Sequence, residues 1–225
     1  MNNTADFIII GGGIAGASAG FGLCRHGKVL LLEGEDQLAY HTTGRSAAFY
    51  AETYGGLDIH PLTTASKDFL FQGGEVPFIH PRGCLHVAWQ GQEGALNHMA
   101  AAFKQSCPRI ERLDAQATLS HAPVLKEDGV IGAIYDPDCS DLDVHAILQH
   151  YIKAIKTAGG LVQTNARVTG LAHDKGIWRI EAGQNVYEAP IVINAAGAWG
   201  DEIARLAHLS PVGLKPKRRT VMTFV

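Results

Sequence analysis

Between Phe7 and Glu33 the chain reads FIIIGGGIAGASAGFGLCRHGKVLLLE: an apolar run, a glycine cluster, a stretch of small residues and a second apolar run. Gly11, Gly13 and Gly16 stand in G-x-G-x-x-G spacing, and Glu33 follows about 20 residues on. That order dictates a strand, a tight turn, a helix and a second strand closing on an acid. Gly11 lets the chain turn off the strand, Gly13 lets a pyrophosphate approach the main chain, and Gly16 lets the helix pack closely on the sheet. The start of the helix offers unpaired N–H groups and a positive dipole end. Glu33 is placed to accept hydrogen bonds from a ribose diol. The pattern predicts a dinucleotide cradle rather than an ordinary glycine-rich α/β turn.

Composition narrows the remainder. A chain of 225 residues can bury a sizeable core in one or two domains, and 46% apolar with 18% charged residues is ordinary globular usage. A net charge of −3 gives no electrostatic footprint for nucleic acid. Cys24, Cys84, Cys107 and Cys139 are widely spaced, without a C-x-x-C pair, which argues against disulfides and a thiolate zinc site and for a reducing compartment. The 11 histidines lack H-E-x-x-H spacing, so no metal is expected. Asp136, Asp138, Asp141 and Asp143 lack the glycine and terminal glutamate of a calcium loop and read as turn and capping residues. Trp89, Trp178 and Trp199 read as core. No secretory signal opens the chain, and Phe7–Ile10 is far too short to span a bilayer. The expected location is the cytoplasm, or the periphery of the inner membrane should the electron acceptor be a quinone. Thr220 to Val225 have strand composition with no turn after them, as in a chain cut within a domain.

Along the chain, residues 35–56 are small and polar, centred on Tyr40 to Ala48, and can pass close to a ligand. Leu62 to Phe71 and Gly94 to Ser106 read as helices, Cys84 to Trp89 and Gly132 to Tyr135 as strands. Asp143 to Ala158 reads as an amphipathic helix, with Val144, Ile147, Leu148, Tyr151, Ile152 and Ile155 at helical spacing and Gly159-Gly160 as its stop. Strands follow at Leu161 to Gln163, Arg167 to Ala172 and Ile191 to Asn194, with a hairpin around Gly183 and a helix from about Asp201. Apolar runs entered after helices imply a mostly parallel sheet covered on both faces. The expected fold is α/β: a Rossmann-like nucleotide-binding domain, 1–49 and 143–210, interrupted by a β-rich, incomplete α+β substrate domain, 50–142 and 211–225.

That interrupted plan and three local motifs resemble the D-amino-acid oxidase family of FAD-dependent oxidoreductases. The motifs are Gly44-Arg45-Ser46-Ala47-Ala48, Asn194-Ala195-Ala196-Gly197-Ala198-Trp199 and Arg82-Gly83-Cys84-Leu85-His86-Val87-Ala88. Within the family, Tyr40 to Ala48, Tyr135-Asp136-Pro137 and Pro216 to Arg219 are most similar to the D-arginine dehydrogenase branch. Family members are usually much longer. The resemblance implies FAD, held non-covalently. It places Ala15 over the pyrophosphate, Glu33 and Gly34 at the adenosine ribose, and Val168 at the adenine through its backbone. Thr42, Thr43, Gly44, Arg45, Ser46, Ala47, Ala48 and Phe49 would line the ribityl chain and ring system, and Ala196 and Gly197 would approach the cofactor. His41 stands where related amine dehydrogenases attach FAD covalently, a less favoured reading here.

In that family the hydride on an amino acid's Cα passes to flavin N5 and water hydrolyses the resulting imine to a 2-oxo acid and ammonia, with no side chain required as catalyst. The same resemblance assigns the substrate carboxylate to Arg219, with Arg218 as fallback, and a hydroxyl contact to Tyr54. Cys84 falls where the D-arginine branch has a glutamate, so a neutral D-amino acid is expected. Phe49 replaces a histidine, which removes a polar contact near the flavin. The expected partners are a small amino acid or amine and an electron acceptor that the sequence does not identify. Alternatives on the same scaffold are a secondary amine of the sarcosine or glycine type, a 2-hydroxy acid or glycerol 3-phosphate. An FAD-binding fragment inactive without a further C-terminal part also fits, whereas a nicotinamide protein would leave GRSAA and NAAGAW without a task.

Overall fold

The computed structural model describes residues 3–218 and 220, which form two compact units, 1–47 with 144–225 and 48–143. The first unit opens with β1 (Phe7–Ile10), α1 (Ile14–Leu23) and β2 (Val29–Leu32), and a 3₁₀ turn at Thr43–Arg45. The second carries β3 (Phe49–Tyr50), α2 (His60–Ala65), α3 (Lys67–Gln72), β4 (Ile79–Pro81), β5 (Cys84–Trp89) and α4 (Glu93–Phe103). It continues through β6 (Glu111–Asp114), α5 (Ala115–His121), β7 (Val130–Asp136) and β8 (Ser140–Leu142). The first unit resumes with α6 (Val144–Thr157), β9 (Leu161–Gln163), β10 (Val168–Asp174), β11 (Ile177–Ala182), β12 (Asn185–Ala189), β13 (Ile191–Asn194) and α7 (Gly200–Leu206).

β1 and β2 are apolar at every position because the sheet they form is covered on both sides. Its order is β13-β1-β2-β9, all parallel, with Phe7 opposite both Ile191 and Val29. Strand alternation sends Ile8, Ile10, Leu30 and Leu32 to one core, where Leu171, Ile180, Tyr187 and Ile203 meet them. Ile9, Val29 and Leu31 face the other, against Ala17 of α1 and Leu148, Ile152 and Ile155 of α6. One cover is thus a pair of helices. The other is the antiparallel meander β10-β11-β12 with Ile203 of α7, a β layer where helices alone would be the usual partner.

Glycine shapes α1. A Cβ at Gly16 would collide with the carbonyl of Gly11, and one at Gly20 would stand 2.6 Å from Ile155 Cδ1. Helix propensity is thereby lost, but the helix axis gains a close approach to β1 and α6. α6 ends as its sequence demands: Gly159 takes φ +81°, and Gly160 N–H donates to Ile155 O at 2.9 Å.

The second unit holds two three-stranded sheets, β3-β8-β4 and β5-β7-β6. The second of these is antiparallel, with Cys84 opposite Asp136 and Leu113 opposite Ala133. Ala88, Leu96 and Ile134 make its small core under α4. Glu52 is a polar hub here, accepting from Lys67 Nζ at 2.8 Å and Thr64 Oγ1 at 2.6 Å. Burial alone would raise its carboxyl, but the bonds from Lys67 and Thr64 outweigh it and hold the pKa below 4.5.

Several expectations are corrected. The helix expected over 62–71 is two helices, because Ser66 Oγ turns back to Leu62 O at 2.9 Å and the chain re-starts at Lys67. Trp89 is 42% exposed rather than core, since it sits where the β5–β7 register slips beside Ala88. Residues 211–214 belong with the first unit, because Val212, Gly213 and Leu214 donate their N–H groups to the Asp201 carboxylate at 2.7–3.0 Å. Of the expected strand at 220–225, Thr220 lies in no element and the rest lies outside the described residues. No described helix is long and apolar enough to cross a membrane.

Two measurements test this account. Gly16→Ala should lower urea stability by about 1–3 kcal/mol through a backbone clash, whereas Gly22→Ala, with open space around its Cβ, should raise it by about 0.5–1 kcal/mol. For Glu52, a folded pKa below the unfolded value contributes stability above about pH 4.5 that is lost as pH falls through the folded pKa. The gap in urea midpoint between the wild type and Glu52→Gln should therefore be present at about pH 7 and close in acid.

Candidate functional site

A cavity of about 330 Å³ lies in the first unit at the carboxyl ends of β1, β2 and β13. This is the place where parallel α/β sheets bind ligands. Its floor is Gly11, Gly13 and Ala15. Gly11 has φ +113°, and a Cβ there would run into the carbonyl of Ala195. α1 starts at Gly13 without a side-chain cap and without an acid in its first turn. Ile14 N–H donates to Thr43 Oγ1 at 3.0 Å, while the amides of Gly13 and Ala15 have no acceptor among the described residues. Unpaired donors at the start of a helix suit an anionic partner.

Glu33 lines the cavity and also builds it. Oε2 accepts the Gly12 N–H at 2.8 Å and Oε1 accepts the Glu35 N–H at 3.0 Å. Each carboxylate oxygen keeps lone-pair capacity for a ribose hydroxyl. The acid is thereby fixed before any ligand arrives. The opposite wall is Ala195 to Trp199, pinned by Asn194, whose Nδ2 donates to Gly200 O at 2.8 Å and whose Oδ1 accepts from Ala196 N at 3.3 Å.

Of the sequence-derived cofactor residues, the cavity gathers Gly11, Gly13, Ala15, Glu33, Gly34, Thr42, Thr43, Val168, Ala196 and Gly197. Gly16 is buried behind it as a packing residue. Gly44, Arg45, Ser46 and Ala47 are exposed and do not line it. Arg45 turns back on its own loop, donating from Nε to Tyr40 O at 3.1 Å with its guanidinium over the Tyr40 ring. Ala48 and Phe49 belong to the second unit, where the Tyr54 ring meets the Phe49 ring edge-on at 5.2 Å.

The substrate candidates are described one by one. Tyr54 is 57% exposed, Arg218 is exposed in coil, and Arg219 lies outside the described residues. Cys84 is half-buried, beside His86 at 3.5 Å, and burial followed by the neighbouring Cys139 pushes its thiol up to about 12. It is a neutral thiol.

Sequence reasoning singled out His41 but missed its partners on the cavity wall. His41 Nε2 lies 3.0 Å from Glu35 Oε1, which also receives Arg167 Nη2 at 3.4 Å, and the His41 ring packs 4.6 Å from Trp199. Trp199 is therefore a wall residue rather than core packing. Glu35 and Arg167 are far apart in sequence, so only the fold reveals the pair.

The description DAO, FAD dependent oxidoreductase, is that of the family matching residues 6–225. The chain belongs to this family. FAD is accordingly its cofactor, and the uncapped α1 start, the glycine floor and the fixed Glu33 fit such a group. The chain is 28% identical over 217 residues to N-methyl-L-tryptophan oxidase of Salmonella arizonae, covering 92% of this chain and 57% of that protein. It is 22% identical over 227 residues to human mitochondrial dimethylglycine dehydrogenase, covering 97% and 26%. The fold matches glycine oxidase from Geobacillus kaustophilus with a TM-score of 0.80 at 20% identity, covering 93% of this chain and 60% of that one. It also matches L-alpha-glycerophosphate oxidase from Mycoplasma pneumoniae with FAD bound, TM-score 0.78 at 20% identity, covering 91% and 57%. The chain thus spans 57% or less of the length of these two curated relatives. These relatives bear out the DAO family but not the D-arginine branch within it.

Glu33→Ala leaves the Gly12 and Glu35 amides without their acceptor, so FAD affinity in a flavin-fluorescence titration should fall at least about tenfold. An unchanged affinity would show that the glycine loop holds its shape without the carboxylate.

Proposed function

We propose that this chain carries the FAD-binding part, and a portion of the substrate-binding layer, of an amine oxidoreductase that oxidises the C–N bond of an N-alkylated amino acid. The observation that carries this reading is the family match over residues 6–225 together with relatives named for N-methyl-L-tryptophan and dimethylglycine. It favours a secondary or tertiary amine over the D-amino acid that the motifs first implied.

Bound FAD supplies the hydride acceptor for C–N oxidation. The protein's part is binding and orientation. The α1 amides of Gly13 and Ala15 would take the pyrophosphate, Glu33 with Gly34 the ribose, and the Val168 backbone the adenine. Ala196 and Gly197, small and held by Asn194, would let main chain approach the flavin side. His41, fixed by Glu35 and stacked near Trp199, belongs to the same wall, and non-covalent binding is the reading we adopt. In this proposal the first unit is the cofactor domain and 48–143 contributes to the substrate domain. Tyr54 and Arg219, or Arg218 in its place, are proposed for the substrate carboxylate, where a bidentate guanidinium adds geometric selectivity.

The test is anaerobic reduction. FAD-loaded protein is mixed with sarcosine, N-methyl-L-tryptophan, D-methionine or D-arginine, and loss of the visible flavin band is followed. An N-methylated substrate should bleach the flavin at least about tenfold faster than either D-amino acid, a difference of about 1.4 kcal/mol in barrier. Faster bleaching by D-methionine would return the assignment to D-amino acids.

A further inference from the structure

The second unit contains a convergent set of metal-ligating atoms that the FAD chemistry does not use. Cys84 and His86 are two residues apart on β5, so strand alternation puts both side chains on one face. The antiparallel register then sets Asp136 of β7 directly opposite Cys84, on that same face. One ligand atom from each of Cys84, His86 and Asp136 lies within 4.8 Å of the other two. We infer that Cys84 Sγ, His86 Nε2 and Asp136 form a site for a divalent transition ion of the zinc class. The inference concerns residues 48–143 alone and stands whether or not the flavin reading holds.

The spacing is what such an ion needs. Ligand distances of about 2.3 Å to sulfur and about 2.0 Å to nitrogen at a tetrahedral angle put the two donor atoms about 3.5 Å apart. Cys84 Sγ and His86 Nε2 are 3.5 Å apart. Asp136 is buried and already oriented: Oδ1 accepts the Asp138 N–H at 3.0 Å, and Oδ2 accepts the Thr53 hydroxyl at 2.7 Å. A hydrogen-bonded carboxylate of this kind is the usual outer support of a metal ligand. Thr53 is itself buried, and its Oγ1 also lies 3.1 Å from His86 Nε2. That nitrogen therefore faces both a hydroxyl and a thiol, and an ion would replace this crowded hydrogen bonding with coordination.

The charges close. The ion's two positive charges meet one carboxylate and one thiolate, with the Cys84 proton released to solvent as the sulfur–metal bond forms. Arg82, the nearby cation, is already neutralised by Asp141 at 2.8 Å. A second cluster, Glu52, His60 and Cys107, differs in that its carboxylate is already charge-paired with a lysine, Lys67 Nζ at 2.8 Å. The Glu52 carboxylate is held by Lys67 and Thr64, and His60 Nδ1 is engaged with Glu52 O at 2.9 Å. It serves as the internal comparison.

The test uses the intact chain with reduced thiols, stripped with chelator and titrated with Co²⁺. One equivalent should produce a thiolate-to-cobalt charge-transfer band that Zn²⁺ abolishes. Cys84→Ser, with an unchanged far-ultraviolet circular dichroism spectrum, should lose the band and weaken Zn²⁺ binding at least about 100-fold, while Cys24→Ser keeps both. Absence of the band in the wild type, or its survival in Cys84→Ser, overturns the site; loss in Cys107→Ser alone moves it to the other cluster and overturns it equally. Should Cys84→Ser not fold, the wild type decides. Alkylation of Cys84 by iodoacetamide, read by mass spectrometry, should slow at least about tenfold with one equivalent of Zn²⁺, and an unchanged rate rejects the proposal.

Discussion

A single carboxylate organises the nucleotide-binding unit. Glu33 ends β2, the buried strand beside β1, and its two oxygens reach the amides of Gly12 and Glu35. The glycine loop cannot satisfy its own N–H groups, because Gly11 has left the strand and α1 has not begun. Without an acceptor in that gap the turn would have to close differently, and the start of α1 would point elsewhere. The backbone around Glu33 ties in the third segment of the wall: its N–H donates to Gln163 O and its carbonyl accepts from Ala166 N, both at 2.8 Å. Cavity floor, acid and the approach to Val168 are therefore one hydrogen-bonded piece. Preorganisation of this kind reduces what a ligand must spend on ordering the site.

The parts of this unit that were legible in the sequence are those whose causes are local. The glycine spacing, the all-apolar β1 and β2, the period of α6 and its Gly159 stop each follow from neighbouring residues, and each is found where the pattern puts it. What stayed hidden depends on residues distant in sequence. The bridge from His41 through Glu35 to Arg167 needs β9 and β10 to have docked. Trp199 looks like core until Asn194 fixes the loop that turns it to the cavity. Arg45, read from its motif as a cofactor contact, is used by its own loop through Tyr40.

The second unit was harder to foresee for a different reason. β3, β4 and β8 have two or three residues each, too few to show a period. Cys84 and His86 alternate visibly, but Asp136 joins them only through the register of β5 on β7, and Thr53 only through a contact across that sheet. Cysteine spacing counts sulfur alone and does not address the mixed set proposed above. A mixed sulfur, nitrogen and oxygen set leaves no C-x-x-C trace.

Asp201 has a consequence beyond anchoring. It lies in the first turn of α7, the helix whose Ile203 and Leu206 close one side of the cavity, and the same side chain grips three successive amides of 212–214. Its charge is shared between a helix dipole and a backbone loop. The backbone at 212–214 is thus tethered, through one side chain, to the helix that closes that side of the cavity.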